Sequence, residues 1–176
     1  MFAPEIEQLI NEQIVNEIYS AHLYLSMSAW LRKKDLDGYA SWYYTQYKEE
    51  SDHALIFYNF VLNAGGTVRL GAIDAPPDEF DSLQDVLART LAHEELVTSL
   101  IYKIVDAATG VKDFKTVQFL DWFVKEQVEE EDNASTNIGR LRNFGGDAMG
   151  LHALDQEMGA RVYTQTAQLA LFEPGN

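Results

Sequence analysis

Residues 43–61 read YYTQYKEESDHALIFYNFV, and the spacing within that stretch decides the architecture. Taken in steps of three and four, Tyr43, Gln46, Glu50, His53, Phe57 and Val61 fall on one stripe of a helix, the pattern of a core-facing surface. Two members do not belong in hydrocarbon. Glu50 and His53 lie one turn apart, so a carboxylate and an imidazole point inward together with Phe57 and Val61. A lone Glu-x-x-His is ordinarily a solvated surface pair, so its meaning rests on what the remainder of the chain places opposite it.

Working outward, proline occurs only at Pro4, Pro76, Pro77 and Pro174, and the breakers leave long uninterrupted pieces. The pieces predict four long helices over 5–34, 39–64, 82–109 and 113–143, and a shorter fifth over 151–169. Ser82 with Asp85 fits an N-cap and an acidic first turn, and Gly65, Gly110 and Gly145 sit where helix C-caps are wanted. The first and second helices are joined by residues 35–38, and the third and fourth by 110–112, so each pair is an antiparallel hairpin. Residues 65–81, with Gly65, Gly66, Gly71, Pro76 and Pro77, are too long for a turn. At ~3.3 Å per extended residue they span the ~40 Å of a long helix, as a crossover between parallel helices requires. A flexible linker is the alternative, and it leaves two hairpins with exposed apolar stripes. The expected fold is all-α: a four-helix bundle with one long crossover between the second and third helices plus a short C-terminal fifth helix. It forms a single domain over 1–176, with the bundle at about 5–144 and the C-terminal helix and tail at about 147–176.

Composition narrows the chemistry. The chain has 176 residues, 13 Lys plus Arg against 28 Asp plus Glu, and a formal charge of −15, which repels nucleic acid and anionic membranes and attracts cations. Cysteine is absent, which excludes disulfides, thiol nucleophiles and cysteine-ligated clusters. No stretch approaches the ~18 apolar residues of a membrane span, and the first ten residues lack a signal-peptide pattern, so the expected location is cytoplasmic.

The other predicted helices repeat the anomaly of residues 43–61. The first carries Ile10, Ile14, Glu17, Ala21, Tyr24 and Leu31 on one stripe; the third Leu87, Leu91, Glu94, Thr98, Ile101 and Val105; the fourth Leu120, Phe123, Gln127, Glu130, Ala134 and Leu141. Each polar position lies within about three residues of its helix midpoint, a mismatch of only ~5 Å, so in a bundle they meet at one height whatever the helix directions. An echo at a separation of 77 residues pairs Glu17 with Glu94, Glu49 with Glu126, Glu50 with Gln127 and His53 with Glu130. The two hairpins read as diverged copies, and their halves should bind unequally.

Burying Glu17, Glu50, Glu94 and Glu130 costs several kcal/mol per ion without compensation, and no Lys or Arg lies in those stripes. Two divalent cations would neutralise four carboxylates. A set of oxygens with one imidazole nitrogen suits iron or manganese better than a closed tetrahedral zinc site. Protonated, hydrogen-bonded carboxyls are the structural alternative. His22, His93 and His152 fall off these stripes and are expected to be solvated or salt-paired.

These residues, with Asn11-Glu12-Gln13, Glu17-Ile18-Tyr19-Ser20, Glu49-Glu50-Ser51-Asp52-His53, His93-Glu94 and Glu126-Gln127-Val128-Glu129-Glu130-Glu131, resemble the ferritin-like di-iron carboxylate family, and within it the bacterial-type non-haem ferritins. The resemblance extends to about Met158. It implies that Glu17, Glu50 and His53 hold a first iron, with Glu50 bridging to a second iron held by Glu94 and Glu130 and flanked by Gln127. It further implies a third iron at Glu49, Glu126 and Glu129 with Glu130 shared, and an electron-supplying role for Tyr24. Trp122 matches an aromatic residue near the centre. Haem is not expected, because Ser51 stands where bacterioferritins carry their haem-ligating methionine. The implied activity is ferroxidase: Fe(II) is oxidised by dioxygen or hydrogen peroxide and stored as a ferric mineral inside a homo-oligomeric cage, by resemblance a 24-mer. A non-storage di-metal enzyme and a purely structural bundle remain the competing readings.

Overall fold

The computed structural model describes residues 3–172. Four long helices, α1 (Pro4–Arg32), α2 (Asp37–Asn63), α3 (Leu83–Gly110) and α4 (Phe114–Phe144), are followed by α5 (Ala148–Gly159) and α6 (Ala167–Phe172). Among the described residues there is no strand. Pro4 opens α1 at a position where its missing N–H costs nothing. Ser82 caps α3 by accepting from the Asp85 N–H, and Asp113 caps α4 through Thr116. Gly65 takes φ 76° directly after α2. α3 runs through Gly110 and ends at Val111, where Lys112 rather than a glycine adopts the left-handed conformation, with φ 59°.

The crossover, residues 64–82, runs along α1. Asn11 of α1 donates to the Thr67 carbonyl at 3.0 Å and accepts from the Arg69 N–H at 2.6 Å. Farther along, Ser26 Oγ donates to the Pro77 carbonyl at 2.6 Å and Trp30 Nε1 to Glu79 at 3.1 Å. The chain therefore climbs from the start of α1 to its end before α3 begins, which makes α2 and α3 parallel.

Two apolar clusters form the core. One joins Ile6, Ile10 and Ile14 to Phe57, Phe60, Ile101, Phe119 and Phe123; the other joins Tyr24, Met27 and Leu31 to Tyr39, Tyr43, Val86 and Leu87. The Glu17, Glu50, Glu94 and Glu130 level lies between them. The α1 and α2 stripes are buried at every expected position. On α3 the buried face is turned slightly, so that Thr90, Val97 and Ile104 are buried while Leu91, Thr98 and Val105 are half-buried; Glu94 and Ile101 belong to both stripes. No Cα of α2 comes within 8 Å of a Cα of α4. That gap is filled by long side chains, including Phe57 stacked on Phe123 at 4.1 Å and Phe60 on Phe119 at 3.7 Å.

The expected fifth helix over 151–169 is instead two. α5 starts three residues earlier, capped by Asp147, and stops at Gly159; residues 161–166 are not helical, and α6 follows. Two causes are visible. Gly159 packs closely against Gly38, where an added Cβ would come within 3.2 Å of the Gly38 Cα, and the Val162-Tyr163-Thr164 run disfavours helix. α5 packs on the start of α2, where Leu36 provides no side-chain cap and Asp155 Oδ1 accepts from the Tyr39 N–H at 2.9 Å. Residues 173–176 of the expected tail lie outside the described residues.

Candidate metal centre

Midway along the bundle, Glu17 of α1 and Glu50 and His53 of α2 offer ligand atoms within 4.8 Å of one another, all three residues buried. His53 Nδ1 lies 3.3 Å from Glu50 Oε2. The imidazole is held edge-on by Trp122 at 5.4 Å and Phe123 at 5.7 Å. Gln13, one turn before Glu17, donates to Glu17 Oε1 at 2.8 Å. Glu17 Oε2 is buried with no hydrogen-bond partner among the described residues. A carboxylate oxygen left so is costly unless the site receives a proton or a cation.

The second hairpin supplies the other half. Glu94 accepts from the Tyr24 hydroxyl at one oxygen and from Gln127 Nε2 at 3.2 Å at the other. Glu130 accepts from Gln46 Nε2 at 2.9 Å. Glu94 and Glu130 are buried yet lie outside the tight Glu17, Glu50 and His53 group, each turned to a protein donor. Their charges still reach the first group. Burial pushes the Glu50 carboxyl well above the usual range, with repulsion from Glu94 and then Glu130 adding to it. Glu17 rises likewise through burial and then Glu50, with His53 and Gln13 opposing. Glu130 is raised to about 8 by burial and by Glu94. Burial also raises Glu94, although the bonds from Tyr24 and Gln127 work against it. The Tyr24 phenol goes well above its ordinary value, through burial and then Glu94.

Outside this layer, Glu49 and Glu126 are half-buried and Glu129 is exposed on the α2 and α4 faces. Burial raises both Glu49 and Glu126, and Glu126 adds repulsion to Glu49 as Glu129 does to Glu126. The four stripes carry no Lys or Arg, as expected, and the cation near the layer comes from outside them. Arg161, in the non-helical segment after α5, donates to Glu49 Oε2 at 2.6 Å and to Gln46 Oε1. Nothing in helical periodicity points to it. His93 also departs from expectation: it is half-buried, bonded to Ser20 Oγ at 2.8 Å, set edge-on to Tyr24, and lowered to about 4 by burial. It lies beside Glu94 but turns toward α1, where it is neither solvated nor salt-paired. His22 and His152 are exposed.

A buried set of carboxylates and one imidazole, on four helices at one level, is a donor set suited to metal ions inside a helical bundle. The comparisons agree. Residues 7–144 match the family model described as a ferritin-like domain, and the chain belongs to that family. It is 36% identical over 165 residues to the bacterial non-heme ferritin of Staphylococcus epidermidis and 33% identical to that of Staphylococcus aureus, covering 94% of this chain and 99% of each relative. An open-pore ferritin from the hyperthermophilic archaeon Archaeoglobus fulgidus superimposes with a TM-score of 0.91 at 40% identity, covering 92% of this chain and 100% of that one. No helix among the described residues is long and apolar enough to cross a membrane.

Proposed function

We propose that this chain is an iron-storage ferritin with ferroxidase activity. The observation that carries the reading is the unpartnered Glu17 Oε2, buried beside Glu50 and His53 where a cation has three ligands waiting. Fe(II) is the substrate. Glu17, Glu50 and His53 receive one ion, and Glu50, Glu94 and Glu130 a second, with Gln127 and Tyr24 holding Glu94 in place. Each Fe(II) gives up one electron. Dioxygen takes two electrons and two protons to become hydrogen peroxide, or hydrogen peroxide takes the same to become two waters.

The residues prepare both halves of that exchange. Raised carboxyls release protons as Fe(II) arrives, which keeps the layer near neutral and supplies protons to the oxidant. When only one Fe(II) is in place, Tyr24 can lend the second electron that the oxidant needs and pass its proton to Glu94, to which it is bonded. The Glu49, Glu126 and Glu129 group offers the ferric product a path out to a mineral. Identity with ferritins over nearly the whole chain supports assembly into a closed homo-oligomer in the cytoplasm, and exposed Leu55, Leu70 and Ile73 supply apolar surface for subunit contacts.

Anaerobic loading with Fe(II), exposure to air and desalting tests the reading. Storage retains many irons per subunit; a non-storage di-metal enzyme retains about two and a structural bundle none.

A further inference from the structure

Gln127, buried on α4, directs one nitrogen at three acceptors on α3. Its Nε2 donates to Glu94 Oε2 at 3.2 Å, to the Glu94 carbonyl at 3.3 Å and to Thr98 Oγ1 at 3.3 Å. An amide nitrogen has two N–H groups, so the three acceptors share them. The same side chain turned over would set its oxygen against the Glu94 carboxylate and carbonyl. Of the three neighbours only Thr98 could reward that reversal, because a hydroxyl donates as well as accepts.

Thr98 has already committed its proton. Its hydroxyl donates to Glu131 Oε1 on α4 at 2.5 Å. This departs from the local habit of such side chains: Ser20, Ser51 and Thr90 each donate to the backbone carbonyl four residues earlier in their own helix. For Thr98 that carbonyl belongs to Glu94, and it accepts from Gln127. The internal echo isolates the device. At the 77-residue spacing Glu50 answers Gln127, while Ala21 and Ala54 answer Thr98 and Glu131 and line an apolar groove with Ile14 and Leu55. The polar pair stands in the hairpin that carries the amide, and two alanines stand in the hairpin that carries a carboxylate there.

We infer that Thr98 and Glu131 are positioning residues of the second ion position: by taking the Thr98 proton, Glu131 obliges that hydroxyl to accept from Gln127, which holds the Gln127 N–H groups, and not its oxygen, toward Glu94. The inference rests on the cation-binding reading of the buried layer and adds to it two residues that act through a third. Glu94 is aimed by the Gln127 bond on one oxygen and the Tyr24 bond on the other, and a ligand aimed in this way holds its metal more tightly. When the chain of donors breaks, Thr98 turns back to the Glu94 carbonyl or bonds the reversed amide, and Glu94 loses a restraint. The first ion position has its own supports, Gln13 on Glu17 and the Trp122 and Phe123 rings on His53.

Crystals of the metal-free assembled protein, soaked in graded Zn(II) as a redox-inert probe and measured by anomalous difference at the zinc edge, give the occupancy of each position separately. Thr98→Val keeps the side-chain size and the Glu131 charge but removes the hydroxyl. It should raise the Zn(II) concentration that half-fills the Glu50, Glu94 and Glu130 position by about tenfold or more, while the Glu17, Glu50 and His53 position shifts by less than about threefold. Thr98→Ala should give the same split, and Thr98→Ser, which restores the hydroxyl, should return both positions to wild-type behaviour. Glu131→Gln removes the charge but keeps an acceptor oxygen for Thr98, so both positions should stay within about threefold of wild type. Native mass and melting temperature check that each variant is folded and assembled. If Thr98→Val and Thr98→Ala leave the second position unchanged or weaken both positions alike, or if Glu131→Gln weakens the second position as much as they do, the positioning role is overturned while the buried centre stands. If wild-type crystals take up zinc at neither position, the cation-binding reading fails and this inference with it.

Discussion

Adding a redox-inert divalent cation to the metal-free protein should expel protons, because the four-carboxylate layer carries protons where the cations would go. Glu130, raised to about 8, is ~97% protonated at pH 6.5. Glu17 and Glu50 are also held well above the usual range by burial. A carboxylate must be ionised to ligate, so Zn(II) loading at pH 6.5 should release protons, with Glu130 contributing close to one per subunit. Release should fall as the titration is moved toward pH 8, where Glu130 is half ionised beforehand. Stability is linked to the same groups. Because their folded-state values are raised, the metal-free protein is most stable below about pH 4.5 as far as these groups are concerned, and it loses a few kcal/mol as the pH climbs through 8. Cation binding removes that loss. Indicator-dye titration in weak buffer measures the protons, and thermal melts with and without Zn(II) at pH 5.5 and 8 measure the linkage. Release below about half a proton at pH 6.5, together with melting points that do not separate with pH, would show the carboxylates to be ionised already and refute the reasoning.

Three further outcomes follow from the geometry. Glu94→Ala removes the carboxylate that Tyr24 and Gln127 hold, so stopped-flow oxidation should lose its fast phase while native mass is unchanged; an unaltered rate would remove the second ion position. Phe123→Ala deletes a ring stacked on Phe57 and edge-on to His53, and denaturant unfolding should register a loss of about 3–5 kcal/mol. Gly38→Ala would set a methyl carbon 1.6 Å from the Asp155 carbonyl oxygen, so α5 must move away. Amide exchange should show the Tyr39 N–H losing protection by roughly tenfold or more.

Much of this arrangement was legible in the chain because helices report direction through phase. Glu17, Glu50, His53, Glu94 and Glu130 each share a stripe with residues that have to be buried, and their placement near helix midpoints brings them to one level without any knowledge of topology. The small rotation of the α3 face left Glu94 in place, since it belongs to both candidate stripes. Arg161 was not legible. It lies outside any helix, and its partner Glu49 is 112 residues away in sequence. Its position depends on the close approach of Gly159 to Gly38 and on Leu169 reaching the core, neither of which periodicity encodes. His93 was misplaced for a related reason: phase says that it turns away from Glu94, but not that Ser20 and Tyr24 wait on the side to which it turns.

The most direct test is anomalous diffraction at the iron edge from crystals soaked anaerobically in ferrous salt. Two peaks are expected in each subunit, one among Glu17, Glu50 and His53 and one among Glu50, Glu94 and Glu130, with Tyr24 and Gln127 keeping their contacts to Glu94. A layer without iron, its carboxyls still bonded to Gln13, Gln46 and Gln127, would contradict the account.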